Sequence, residues 1–172
     1  MFDRLDKVTA ARLIAAAAAT AALLLNLAVE RFALSSRAML DGATLIPHLL
    51  DIRYVWNRGI SFSLFWQASD LGSVALSLGL IAMVAALAVW TFRTDRPLLA
   101  ASLGLIVGGA LGNIVDRAVH KAVFDFLSVH LGTIPLFVCN ASDIFITLGV
   151  LGVLAEEIRA PRGQAPQREN RI

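Results

Sequence analysis

Three aspartates carry the chemistry that this chain offers. Asp116 lies at the end of the string G108-G-A-L-G-N-I-V-D-R117, Asp125 sits within F124-D-F126, and Asp143 ends N140-A-S-D143. Each borders an apolar stretch, and an ionisable side chain at the edge of hydrocarbon is costly enough to be a functional candidate. Two carboxylates a few ångströms apart in a poorly solvated site do not both ionise cheaply, because unit charges about 4 Å apart interact by on the order of 4 kcal/mol at an effective dielectric near 20. Such a pair shares a proton and can hold a water between a base and an acid, an arrangement suited to peptide hydrolysis. Asp125 and Asp143 are separated by a stretch containing Gly132 and Pro135, enough for the chain to turn back. Structural readings stand beside the catalytic one. Asp116 at a helix C-terminus meets an unfavourable dipole that Arg117 compensates, and Asn140 followed three residues later by Asp143 resembles a capping box. The residue types alone leave open which of the three react.

The elements that must position these groups are apolar. The 172 residues are 58% hydrophobic and only 16% charged, with a mean hydropathy of +0.72, more apolar surface than a small water-soluble domain needs. A membrane span takes about 20 mostly apolar residues to cross roughly 30 Å of hydrocarbon. Four segments qualify, over approximately 11–30, 70–92, 97–115 and 140–158; the fourth reaches spanning length only if it starts near Asn140, which puts Asp143 at a membrane surface. The first is read as a span and not as a cleavable leader, because its apolar stretch is long and Asp3 and Asp6 spoil the basic flank. Lys and Arg placement, nine on one side against six on the other, favours both termini on the cytoplasmic side. In a four-span chain the end of the third segment and the start of the fourth share a side, so the aspartates can meet.

The expected fold is therefore an all-α membrane protein with four transmembrane helices and a small extracytoplasmic β-cradle in the first outer connection, residues 31–69. There Tyr54, Val55 and Trp56 read as strand and Asn57, Arg58 and Gly59 as a turn. Trp56, Phe62, Phe65 and Trp66 suit an interfacial aromatic belt. Residues 159–172, rich in Pro, Gln and Arg, read as a disordered cytoplasmic tail. Other chemistries find little support. Lys121 has no clear serine partner, His48, His120 and His130 stand apart and read as loop residues, and Cys139, the single cysteine, reads as a packed thiol. Gly108, Gly109 and Gly112 inside a span fit close helix approach better than a phosphate loop.

Taken together, N57-R-G-I-S-F62, G108-G-A-L-G-N-I-V-D-R117, the F-D-F around Asp125 and the N-A-S-D ending at Asp143 resemble the lipoprotein signal peptidases, also called signal peptidase II, in order and spacing from about Asp51 to Ala155. The resemblance implies an aspartic endopeptidase of the bacterial inner membrane, with its active site at the extracytoplasmic face, that removes the signal peptide from diacylglyceryl-modified prolipoproteins. It puts the catalytic pair on Asp125 and Asp143. Asn57, Gly59, Asn113, Asp116, Arg117 and Asn140 fall on positions that hold substrate or support the pair. No cofactor, metal or nucleic acid is implied; membrane lipid, a monomeric state and inhibition by cyclic peptides of the globomycin type are.

Two stretches depart from the family pattern. Where the family has Asp-Gln, two variable residues and Lys at the end of its first helix, this chain has N26-L-A-V-E30; where it has Phe-Asn-x-Ala-Asp, this chain has C139-N-A-S-D143. Glu30 puts an anion where a cation is expected, and Ser142 adds a hydroxyl that is expected to hydrogen-bond near the pair or to satisfy the helix terminus. These changes support the competing expectation of a diverged, non-catalytic membrane protein of the same fold that binds lipid or lipoprotein.

Overall fold

Many polar side chains are buried while many large apolar side chains are exposed. In a computed structural model that describes residues 2–36, 41–59 and 70–159, Asn26, Glu30, Asn57, Asp116, Arg117, Asp125, Asn140 and Ser142 are buried, whereas Leu13, Leu24, Leu78, Val89, Leu148 and Leu151 are exposed on the helices. Apolar patches of this extent on a water-soluble monomer would be exceptional. Lipid is the solvent that accommodates them.

Four helices and four strands follow in the order α1 (Phe2–Ser35), β1 (Ala43–Ile46), β2 (Leu50–Asn57), α2 (Asp70–Arg93), α3 (Pro97–His120), β3 (Val123–Leu131), β4 (Ile134–Cys139) and α4 (Ala141–Arg159). By length and composition α1 and α3 can each cross a membrane, and α2 contains a shorter apolar run, Ser77–Arg93. Pro97 opens α3 at a position where its missing N–H costs nothing. The helix ends at Lys121, whose left-handed backbone (φ 61°) directs its N–H to the Arg117 carbonyl at 3.0 Å. At the opposite end Arg96 clamps α4 to α3, with Nε 2.8 Å from Glu156 Oε1, one terminal nitrogen 2.9 Å from Glu157 Oε1 and the other 2.8 Å from the Glu156 carbonyl.

The sheet corrects the sequence expectation. It is antiparallel, in the order β1-β2-β3-β4, and only β1 and β2 belong to the first outer connection. The other two strands come from the segment between α3 and α4, so the cradle is built by both connections and Asp125 lies on a strand. Pairing of Val55 with Asp125, Trp56 with Phe124 and Asn57 with Val123 sets the end of β2 beside the aspartate. Tyr54, Trp56, Phe124 and Phe126 form an aromatic cluster over this register, with ring centroids 4.7–6.0 Å apart. Phe62, Phe65 and Trp66, and the tail beyond Arg159, lie outside the described residues. The histidines are not all loop residues either: His120 ends α3 and His130 is on β3, with Nδ1 2.9 Å from the Gly132 carbonyl, while His48 occupies the β1–β2 turn at φ 63°.

Helix α3 packs against the other three helices, and glycines on α3 and α4 allow the close approaches. A Cβ on Gly108 would run into the backbone of Ala19 on α1, and one on Gly79 of α2 would meet nothing within 4 Å. Gly108→Ala is therefore expected to push α1 from α3 at a cost of about 1–3 kcal/mol and to lower the melting temperature in detergent. Gly79→Ala leaves it unchanged or raises it, as a helix-interior Gly→Ala change does by up to about 1 kcal/mol. Equal melting temperatures for the two variants would contradict this packing.

Candidate active site

Asp125 and Asp143 meet through Asn140. The Asn140 side-chain amide donates to Asp125 Oδ1 at 2.8 Å, and the Asn140 backbone N–H donates to Asp143 Oδ2 at 3.3 Å. The Asp143 N–H donates back to Asn140 Oδ1 at 3.1 Å, so the capping box read from the sequence is present at the start of α4. The cap and the carboxylate pair are one structure: the contacts that begin α4 also hold Asp143 beside Asp125.

The surrounding groups complete this arrangement. Asn57, at the end of β2, donates its side-chain amide to Asp125 Oδ2 at 2.9 Å and accepts from the Gly59 N–H at 2.8 Å. On α3, Asn113 donates to Asp143 Oδ1 at 3.3 Å and accepts from the Asn140 amide at 3.2 Å. Arg117, one turn further on, donates to the Gly59 carbonyl at 2.6 Å and to its own helix at the Asn113 carbonyl at 3.0 Å. Three separate parts of the chain, β2, α3 and the β4–α4 junction, thus converge on the two acids. Asn57, Gly59, Asn113, Arg117 and Asn140, singled out from the sequence, all lie in this network. Asp116 does not. Its Oδ2 accepts from the Phe124 N–H at 3.3 Å, which tethers β3 one residue before Asp125.

Asp125 is 2% exposed, and burial is the main reason its carboxyl is pushed up to about 7; the neighbouring Asp143 charge adds to the shift, while donation from Asn57 and Asn140 opposes it. Near neutral pH it is poised to gain or lose a proton. Cys139 is driven the other way from reactivity, its thiol raised to about 11 by burial and by the nearby Asp143 and Asp125, which disfavours the thiolate that a nucleophile needs. Both acids line a cavity of about 750 Å³ bounded by α2, α3, α4 and the sheet; Asn57, Asn113, Arg117 and Thr147 join them, and the remaining walls are mostly apolar, including Leu80, Met83, Ile106, Leu127, Val129 and Ile146.

Ser142 behaves differently from expectation. It is fully buried, its hydroxyl faces Gly112 of α3 near Asn26, and it has no hydrogen-bond partner among the described residues; it neither bonds the acids nor caps the helix. The sequence reading missed a further grouping, in which Glu30, Asp116 and His120 bring ligand atoms within 4.8 Å of one another. The reversed charge at Glu30 was its only signal.

Exposed apolar helix faces, and a buried Asp125 beside a half-buried Asp143 on a largely apolar cavity, define a membrane-type protein with a site suited to acid–base hydrolysis. Residues 10–159 match the family model described as signal peptidase (SPase) II, and the chain belongs to that family of peptidases. It is similar to the lipoprotein signal peptidase of Methylorubrum extorquens (strain PA1), with 45% identity over 119 residues covering 69% of each chain. Identity is 46% over 115 residues to that of Methylobacterium sp. (strain 4-46), covering 66% of this chain and 70% of the relative. Its fold resembles that of a bacterial membrane enzyme solved by the in meso method, at a TM-score of 0.72 and 19% identity, covering 88% of this chain and 93% of the other.

Asn57→Ala removes a donor that favours the Asp125 anion. The Asp125 carboxyl should therefore titrate at higher pH in the variant, read as an upward shift of the alkaline limb of its pH–rate profile. An unmoved limb would show that Asn57 does not act on Asp125.

Proposed function

We propose that this chain is an intramembrane aspartic endopeptidase that removes the signal peptide from diacylglyceryl-modified prolipoproteins at the extracytoplasmic face of the bacterial inner membrane. The observation that carries the reading is the joining of Asp125 and Asp143 through Asn140 at the polar end of an apolar cavity. The substrate reading is supported by the relatives named lipoprotein signal peptidase and by the cavity, whose apolar walls suit acyl chains and a hydrophobic signal segment. Four spans are proposed, over approximately 11–30, 70–92, 97–115 and 140–158, with both termini cytoplasmic. The protein is proposed to act as a monomer surrounded by lipid and to be open to globomycin-type cyclic peptides.

In this mechanism a water lies between the two acids, which hold one proton between them. Burial favours Asp125 as the protonated member, and the positive end of the α4 dipole favours Asp143 as the anion, although the proton belongs to the coupled pair. Asp143 takes a proton from the water as its oxygen bonds to the scissile carbonyl carbon, and Asp125 gives its proton to the carbonyl oxygen. Collapse of the tetrahedral centre breaks the C–N bond, and the pair returns a proton to the departing amine. Asn57, Asn113, Arg117 and Asn140 hold the acids and the substrate backbone. Arg117 is suited to a peptide carbonyl because it has donors only, and it already donates to the Gly59 carbonyl. Asp116 supports the pair from a distance through β3.

Purified protein supplied with a diacylglyceryl-modified prolipoprotein should cleave it, and Asp125→Asn and Asp143→Asn should each lower the rate by about 10²–10⁴-fold or more. Binding without cleavage in the parent would favour the non-catalytic alternative. The rate should fall as pH rises through about 7, where Asp125 loses its proton, and fall again in acid as the anionic partner is protonated; a flat profile between about pH 5 and about pH 9 would overturn the shared-proton mechanism. Stability has its own sign. The folded state keeps a proton on Asp125 that the unfolded chain releases above its ordinary value of 3.8, so this residue's contribution to stability declines as pH rises from there to about 7. Asp125→Asn should remove that decline, which melting curves across this range would detect.

A further inference from the structure

We propose that Glu30 of α1, with Asp116 and His120 of α3, forms a binding site for a divalent transition-metal cation, separate from the catalytic acids. The three side chains come from the sheet-facing ends of two helices and bring one oxygen, one oxygen and one nitrogen within 4.8 Å of one another. Mixed carboxylate and imidazole donors suit Zn²⁺ and its neighbours in the first transition row.

The cluster differs from a solvated patch of acids. Glu30 is 6% and Asp116 3% exposed, and the Glu30 carboxyl interacts directly with that of Asp116, with the His120 ring close by. A second carboxylate cannot donate a hydrogen bond to the first unless a proton or a cation lies between them. Arg117, the adjacent cation in sequence, is spent on the Gly59 and Asn113 carbonyls. A proton shared between the two carboxyls satisfies the pair while no ion is bound, and a divalent ion that displaced it would bring positive charge to both oxygens at once.

The surroundings also resemble those that steady metal ligands. The Phe124 N–H donates to Asp116 Oδ2 at 3.3 Å, which orients that carboxylate, and the Trp56 ring lies against His120 at a centroid distance of 5.0 Å, which restricts the imidazole. Partners of this kind behind the ligands are a general feature of metal sites. A bound ion would join α1 to α3 beneath β3, immediately before Asp125. Its role would be to fasten the scaffold, with no part in bond cleavage.

The test uses the full chain, purified in detergent with a tag free of histidine, stripped with EDTA and titrated with Co²⁺ as a spectroscopic probe. The parent should bind one equivalent with visible absorption from mixed oxygen and nitrogen ligands, and its melting temperature should rise with Co²⁺ or Zn²⁺. His120→Ala alters an exposed ligand and should weaken Co²⁺ binding by at least about tenfold. Glu30→Lys supplies a fixed cation in place of the ion, so it should stay folded, show no Co²⁺ spectrum and melt at a temperature independent of metal. A parent that binds no Co²⁺ overturns the site and leaves a shared proton as the neutralising charge; so does binding that both variants retain at parental strength.

Discussion

The constraint on which the rest of this structure depends is a carboxyl group kept out of water. Asp125 is buried on the inner part of a sheet, and a group in that position persists only if its oxygens are satisfied. Asn57 and Asn140 provide one donor to each oxygen. Because Asn57 ends β2 and Asn140 opens α4, those two hydrogen bonds also fix where the sheet meets the helices. The same burial that makes the acid expensive makes it useful, since it moves the proton equilibrium toward neutrality.

Around this point, structural and chemical roles coincide. The reciprocal bonds between Asn140 and Asp143 start α4 as an ordinary capping box does, and they also set the second carboxylate beside the first. Arg117 closes the Asn57–Gly59 turn onto α3. The cradle is made by both the α1–α2 and the α3–α4 connections, which explains how a strand residue and a helix-cap residue face one cavity. In the proposed reaction, acids held this way would need little reorganisation as charge develops, which is where preorganised polar groups are most effective.

Much of this arrangement was legible in the sequence. The apolar segments, the interruption of each by a polar motif, the strand at Tyr54, Val55 and Trp56, and the suitability of the α3 glycines for close approach follow from composition and local pattern. The strands β3 and β4 were not, because F-D-F and the following apolar residues carry no clean alternation and half-buried strands are set by the neighbours they pair with. His120 was read as a loop residue because nothing local marks the extra turn of α3 that ends in a left-handed Lys121. Residue type and position left Asp116 among three candidate acids, and only the family resemblance set it apart from the pair. Its separation from them depends on which way a helix terminus faces, a property of packing.

What the sequence by itself determined is the inventory: which segments prefer lipid, which side chains can exchange protons, and that, read as four spans, the end of the third apolar segment and the start of the fourth lie on the same side. Those properties reside in residue type and order, and hydropathy acts on each segment separately. The tertiary structure alone decided that Asp125 and Asp143 share Asn140, that Asp116 turns instead toward β3, and that Glu30 comes to rest beside Asp116 and His120. Such meetings join residues distant along the chain, and they are settled by helix contact and strand register, where a displacement of a few ångströms makes or removes a hydrogen bond.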